Sequence, residues 1–255
     1  MAFGKILKNS VGKEISTADN KKALITKTAA LGLGLIGLPH TGLRERERQI
    51  RDFIKNGKVK ALDAGCGIGL YAFEMAKNGH HVTGIDLEKE KIDVARGISQ
   101  RINANMNFMQ GDLTNLRISE KFDLILCSEV IEHIVEDYKV IENLSKIMNH
   151  GARLIITVPR ISSESWKINH QKFGHVRQGY REEELRQMLE KYGLRVTRIV
   201  LFDSPLATFA FRINEKLYDK KMLLGVLFYP LYFLTFFNYF KKDKYNGLLI
   251  EAVKI

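Results

Sequence analysis

The chain has 255 residues, 45% of them hydrophobic and 27% charged, with 40 Lys and Arg against 29 Asp and Glu for a formal net charge of +11. That length suits one α/β domain with additions, and the composition excludes wholesale disorder. Two cysteines, Cys66 and Cys127, are too few for a disulfide framework or a cysteine-rich zinc module. The charge is uneven: residues 1–60 carry 13 basic and 5 acidic side chains, residues 201–255 carry 8 and 5, and residues 61–200 carry 19 of each. A neutral middle with basic ends directs attention to anionic surfaces met by the ends alone.

Phe3, Ile6, Leu7 and Val11 among Lys5, Lys8 and Lys13 read as a short basic amphipathic helix. Residues 29–38 are apolar but too short to span a bilayer and too far from Met1 for the usual signal peptide. Residues 44–54 read as a solvated helix with one apolar edge. From residue 58, strand and helix alternate. Strands are expected at 59–64, 81–85, 106–110, 122–127, 153–158, 194–202 and 248–254, with helices at 70–78, 88–104, 129–148 and 181–192. The expected fold class is α/β, a Rossmann-like, doubly wound and mostly parallel sheet. The chain divides into a basic helical N-terminal extension or lid (1–57), a core (58–202), an apolar lysine-flanked insertion (203–246) and a last core strand (247–255).

Asp63-Ala-Gly65-Cys66-Gly67-Ile-Gly69 falls between the first strand and the first helix of the core. Glycines belong where a backbone turns sharply and lets a ligand approach closely. The third glycine follows the second by two residues, where the dinucleotide-binding fingerprint has three. The acid before the loop suits a cationic or hydroxyl-rich ligand better than a pyrophosphate. Asp86 closes the second strand about 20 residues on, where a carboxylate can accept from both ribose hydroxyls. Asp112 follows the third strand, placed to meet an adenine amino group. Singly, each acid reads equally as a turn or helix-cap aspartate. All three fall at strand carboxyl ends, the edge at which open α/β sheets bind ligands.

In residues 62–69, 82–86, 111–112, 122–129 and 151–159 the chain resembles the class I S-adenosylmethionine-dependent methyltransferases. The resemblance covers roughly residues 58–202. It implies a seven-stranded sheet with an antiparallel last strand, and S-adenosyl-L-methionine as cofactor. By that resemblance Asp63, Gly65, Cys66, Gly67 and Gly69 wrap the methionine part, Asp86 with Leu87 holds the ribose, Asp112 with Leu113 holds the adenine, and Ser128 completes the pocket. Cys66 is then a small loop residue and Cys127 a core one.

Methyl transfer from a sulfonium needs an in-line nucleophile, and the protein positions it and manages its proton. Glu129-Val-Ile-Glu132-His133 follows the fourth strand, and at i, i+3 and i+4 of a helix these polar side chains share one face. Glu-x-x-Glu-His resembles the motif of ubiquinone-biosynthesis O-methyltransferases and of small-RNA terminal 2′-O-methyltransferases. The resemblance implies a divalent metal, Mg²⁺, Mn²⁺ or Zn²⁺, on Glu129, Glu132, His133 and a further histidine, His170 or His175, that activates the acceptor hydroxyl. The same residues also fit a metal-free site with His133 as general base. Catalytic roles are assigned to His133, Glu132 and His175, and metal ligation to Glu129, Glu132, His133 and His170. Residues 173–185 resemble the acceptor-side loop and helix of many small-molecule and glycan methyltransferases, in which His175, Arg177 and Tyr180 either orient a polar acceptor or serve as surface and capping contacts. Trp166 is a lid residue or packing.

Residues 222–240 are uncharged and rich in aromatics, between Lys220-Lys221 and Lys241-Lys242. One membrane crossing is incompatible with both ends returning to the same sheet, and two would need roughly 40 apolar residues. Pro230 at the centre fits a broken or re-entrant helix in the membrane interface, with the lysines on anionic lipid. The plain alternative is a buried helix over the sheet or a dimer interface. The expected protein is cytoplasmic and peripheral or monotopic on a membrane. Its expected reaction is O-methylation of a lipid-soluble or lipid-linked hydroxyl, such as a polyprenyl quinol precursor or a lipid-carried glycan. RNA 2′-O-methylation is the alternative enzyme reading, disfavoured because no basic-aromatic stripe accompanies the charge. A non-catalytic methyltransferase-like assembly subunit is the non-enzyme reading.

Overall fold

The computed structural model describes residues 41–55, 57–102, 106–161, 174–205, 208 and 244–255. The expected N-terminal amphipathic helix, the apolar stretch 29–38, Trp166, His170 and the segment 222–240 lie outside the described residues. Among the described residues no helix is long and apolar enough to cross a membrane.

Helix α1 (Thr41–Ile54) leads into β1 (Lys60–Ala64), α2 (Leu70–Lys77), β2 (His81–Asp86), α3 (Lys89–Arg101) and β3 (Asn107–Gln110). Then come β4 (Phe122–Ser128), α4 (Asp137–Lys146), β5 (Met148–Pro159), α5 (Glu182–Lys191), β6 (Leu194–Phe202) and β7 (Gly247–Lys254). They build a seven-stranded sheet in the order β3-β2-β1-β4-β5-β7-β6. The strands from β3 to β5 run parallel, and β7 inserts antiparallel between β5 and β6. This is the α/β sheet with an antiparallel last strand that the sequence implied.

Side chains alternate across a strand, so successive residues of one apolar run feed opposite cores. Leu124 and Leu126 of β4 enter one core, while Ile125 and Cys127 enter the other. The first core is closed by α1, α2 and α3 through Ile50, Ile54, Ala72, Met75 and Ile92, and the second by α4 and α5 through Val140, Leu144, Leu185 and Leu189. A strand buried on both faces shows no polar alternation, which is why Leu124-Ile-Leu-Cys127 reads as an unbroken apolar run.

Two expected elements differ in extent: the fifth strand, expected at 153–158, runs from Met148 to Pro159, and the helix before it is shorter than expected. The helix predicted over 129–148 begins only at Asp137, because Glu129 takes a left-handed φ of 55° and its N–H donates to the Thr157 carbonyl at 2.9 Å. The backbone stays in the β4–β5 ladder for one more residue instead of starting a helix. A short 3-10 turn, Ile131–His133, fills part of the gap.

Candidate active site

The strand order reverses between β2-β1 and β4, which opens a crevice beyond the carboxyl ends of the strands. The glycine loop leaves β1 there. The N–H groups of Gly65 and Cys66 both donate to the Ile85 carbonyl at 2.8 Å, pinning the loop to the end of β2. Gly65 and Gly67 both take left-handed backbone, φ +76° and +54°, where a side chain is strained. A Cβ on Gly65 would stand 2.3 Å from Val130 Cγ2, so the loop packs tightly on the chain after β4. A Cβ on Gly67 would meet no atom within 4 Å. Gly67 therefore turns its bare side to open space.

Asp86 accepts the Gly67 N–H on one carboxylate oxygen at 2.7 Å and the Glu88 N–H on the other at 3.0 Å. Each oxygen keeps a second lone pair for a hydroxyl. Asp112 accepts the Thr114 N–H and hydroxyl at 2.8 and 2.7 Å, both on the same oxygen of an exposed carboxylate. Asp63 is buried and accepts the Ala72 N–H at 2.9 Å; burial pushes its carboxyl up to about 7 against that hydrogen bond. A bare glycine cradle flanked by carboxylates fits a ligand with a ribose diol, an exocyclic amine and a positive charge. S-adenosylmethionine has all three.

The remaining residues expected around the donor are more varied. Burial, then Asp63 and Asp86, raises the Cys66 thiol well above the ordinary range, so it stays neutral in the loop. The Leu113 side chain sits in the core and Leu87 is exposed. The Ser128 hydroxyl shares a 2.8 Å hydrogen bond with that of Thr157.

On the acceptor side the left-handed turn at Glu129 separates residues that a helix would have aligned. Glu129 pairs with Arg46 at 2.8 Å and accepts the Thr157 hydroxyl at 3.2 Å. Glu132 is fully buried, and neither of its oxygens has a partner among the described residues. Burial, and after it the charge of Glu129, raises the Glu132 carboxyl well above the usual range. The rings of His133 and His175 meet edge to face, 4.6 Å between centroids. One ligating atom from each of Glu132, His133 and His175 lies within 4.8 Å of the others. Of the four ligands expected from the sequence, Glu129 pairs with Arg46 and His170 lies outside the described residues, while His175 is the described histidine that meets His133. The loop residues Arg177 and Tyr180 face inward, both bonded to Asp137, and so hold the loop.

Sequence reasoning missed a buried polar group beside the crevice. Arg46 of α1 meets Glu129 and hydrogen-bonds Tyr71, in the first turn of α2, with Asp203 nearby. Burial opposes its charge, but Glu129, Tyr71 and Asp203 together raise its pKa further. Burial and then Glu45 push Asp203 up to about 8. The run Arg44-Glu-Arg-Glu-Arg48 looks solvated in sequence, yet Glu45 is 1% exposed and accepts the Ser204 N–H. Val130, next in the chain to Glu129, is the residue on which Gly65 packs, so Arg46 stands beside the glycine loop.

This sheet order and this crevice are those of the class I, Rossmann-like fold of S-adenosylmethionine-dependent methyltransferases. A family model described as a methyltransferase domain matches residues 55–193, more than half of the chain, and the chain belongs to that family. It is 34% identical over 97 residues to a ubiquinone biosynthesis O-methyltransferase of Coxiella burnetii, covering 38% of this chain and 42% of that one. It is 36% identical over 104 residues to the enzyme of the same name from Rickettsia akari, covering 40% and 41%. The matched stretch thus spans less than half the length of these curated relatives. Among solved structures, the [4+2]-cyclase SpnF superposes with a TM-score of 0.61 at 17% identity, over 82% of this chain and 80% of that one. Magnesium protoporphyrin IX methyltransferase from Synechocystis, solved with bound S-adenosylhomocysteine, gives 0.54 at 19%, over 86% and 85%. These likenesses establish the fold; a cyclase among them shows that the fold alone does not dictate the chemistry.

Proposed function

We propose that the chain transfers a methyl group from S-adenosylmethionine to a hydroxyl of a lipid-soluble or lipid-linked acceptor at a membrane surface. The observation that carries this reading is the pairing of His133 with His175 over a buried Glu132, on the turn that leaves the strand beside the donor crevice. The names of the curated relatives support oxygen as the methylated atom. Support for an apolar acceptor comes from Val135, Tyr138 and Val176, which are 80%, 43% and 52% exposed and close in sequence to His133 and His175. The lysine-flanked apolar segment 222–240 supports a membrane surface.

S-adenosylmethionine supplies an electrophilic methyl carbon on a positively charged sulfur. Asp86 and Asp112 hold its ribose and adenine, and Arg46 offers a buried guanidinium to its carboxylate. His133 Nδ1 lies 3.2 Å from the Gly174 carbonyl, which can only accept, so Nδ1 carries the proton and Nε2 keeps a lone pair. As the acceptor oxygen bonds to the methyl carbon and the carbon–sulfur bond breaks, the hydroxyl proton passes to that lone pair.

A second reading adds a divalent metal, favoured by one observation. Glu132 is a buried carboxyl without partners, and such a group is costly unless a cation or proton satisfies it. Glu132, His133 and His175 would hold the ion, which would lower the pKa of the acceptor hydroxyl. The test is incubation of the protein with methyl-labelled S-adenosylmethionine, a total lipid extract and, separately, cellular RNA. Label in a lipid-soluble product is the expected result. Label in RNA, or in neither, overturns the reading.

A further inference from the structure

The geometry points to Arg177 as a positioning residue that acts on His133 through the Gly174 carbonyl, a role that rests on the reading of His133 as the acceptor-side base. The loop from Gly174 to Tyr180 meets the sheet only at its end, where Tyr180 bridges to Arg160, and it is otherwise tied down at two levels. Its backbone N–H groups at Val176 and Arg177 donate to the Glu132 carbonyl at 3.0 and 3.4 Å. Its side chains converge on Asp137, the first residue of α4. Asp137 Oδ2 accepts the Tyr180 hydroxyl at 2.7 Å and an Arg177 guanidinium N–H at 2.8 Å.

The guanidinium joins these contacts. It lies 3.9 Å over the centroid of the Tyr180 ring, pairs with Glu184 of α5, and donates from Nε to the Gly179 carbonyl at 3.1 Å. Arginine's planar fork directs five N–H donors along fixed, separated lines, whereas a lysine's three donors radiate from a single atom. Glu132 and Asp137 bracket His133 in the chain, so the clasp fixes the loop on both sides of that histidine. The product of this fixation is the 3.2 Å contact between His133 Nδ1 and the Gly174 carbonyl. A carbonyl placed against one ring nitrogen selects the tautomer protonated there and leaves the other nitrogen as the base or ligand. Arg177 does not touch the acceptor in this account; it sets which nitrogen of His133 does.

The tautomer can be read directly. In protein labelled with ¹⁵N-histidine, the wild type should give His133 as one neutral tautomer, Nδ1–H, in alkaline buffer. Arg177→Met should convert that pattern to a mixture of both tautomers, and Arg177→Lys should give a smaller change. Affinity for S-adenosylhomocysteine by calorimetry should stay within twofold in both variants, because the partners of Arg177 are Asp137, Gly179, Tyr180 and Glu184, none of them assigned to the donor. Should Arg177→Met fail to fold, Arg177→Lys and Glu184→Gln provide the same comparison. An unchanged His133 pattern in a folded variant overturns the proposal, and so does a tautomer change matched by an equal loss of donor affinity, which would mean general loosening. If His133→Asn leaves methyl transfer to the lipid extract intact, the base reading falls while the tautomer result stands.

Discussion

Gly65 and Gly67 share the left-handed conformation but face different surroundings, and that contrast predicts two distinct failures. Replacing either with alanine costs about 1–2 kcal/mol for a left-handed side chain. At Gly67 the new methyl meets no protein atom within 4 Å, so that cost stands alone. At Gly65 the methyl arrives 2.3 Å from Val130 Cγ2 and 3.0 Å from Cγ1, and overpacking of this kind adds about 1–3 kcal/mol. For a chain of this length each kcal/mol lowers the melting temperature by about 2–4 °C. Gly65→Ala should therefore melt several degrees below Gly67→Ala, and Val130→Ala in the same chain should recover part of the difference. Ligand reverses the ranking of interest. At about a hundred times its dissociation constant, S-adenosylhomocysteine should stabilise the wild type by about 2.7 kcal/mol. Gly67→Ala should lose most of that gain, because its methyl fills the space the donor needs. Thermal melts with and without ligand measure both effects. Equal melting of the two variants would refute the packing of the loop on Val130. A full ligand-induced shift in Gly67→Ala would refute the cradle.

Other expectations concern the buried ionisable groups. Asp63 titrates near 7 in the folded chain against an ordinary value of 3.8. Between those values the folded chain holds a proton that the unfolded chain has lost, so stability should fall as pH rises through that window. Asp63→Asn should flatten that decline in ligand-free denaturation curves, and an unchanged slope would show that Asp63 is not its source. Glu132→Gln, which keeps the shape and removes the charge, should raise stability at alkaline pH; Zn²⁺ should raise the melting temperature of the wild type and not of this variant, and equal shifts would remove Glu132 from the metal reading. Arg46→Met should weaken S-adenosylhomocysteine binding by at least tenfold and leave the part-buried Glu129 without its cation, and calorimetry with an unchanged constant would separate Arg46 from the donor. Tyr180→Phe should cost about 1–2 kcal/mol by urea unfolding for the lost hydrogen bond to Asp137.

The sheet was legible because its signals are local. Apolar runs such as Leu124-Ile-Leu-Cys127 are long enough for a strand buried on both faces, and glycines mark the turns between elements. The three candidate donor-side acids stand out for the same reason, since Asp63 and Asp86 fall in the last two residues of β1 and β2 and Asp112 two residues after β3. The acceptor side was not. A helical period read across Glu129, Glu132 and His133 ignores the ladder bond from the Glu129 N–H to Thr157, which comes from a strand 28 residues away in sequence. Arg46 was hidden in a run of alternating charges whose burial depends on partners at Glu129 and Asp203. Tyr180 and Arg177 read in sequence either as acceptor contacts or as surface and capping contacts, and their bonds to Asp137 depend on a residue 40 or more positions away. Side chains whose roles depend on distant partners leave little trace in local pattern.

The proposed reaction requires that the crevice at the strand ends bind S-adenosylmethionine through Asp86. Calorimetric titration of S-adenosylhomocysteine into the wild type and Asp86→Asn tests this. Saturable one-to-one binding to the wild type is expected. In the variant, the loss of charged hydrogen bonds worth about 1.5–3 kcal/mol should weaken binding by roughly one to two orders of magnitude. No binding to the wild type, or the same dissociation constant in both proteins, would contradict it.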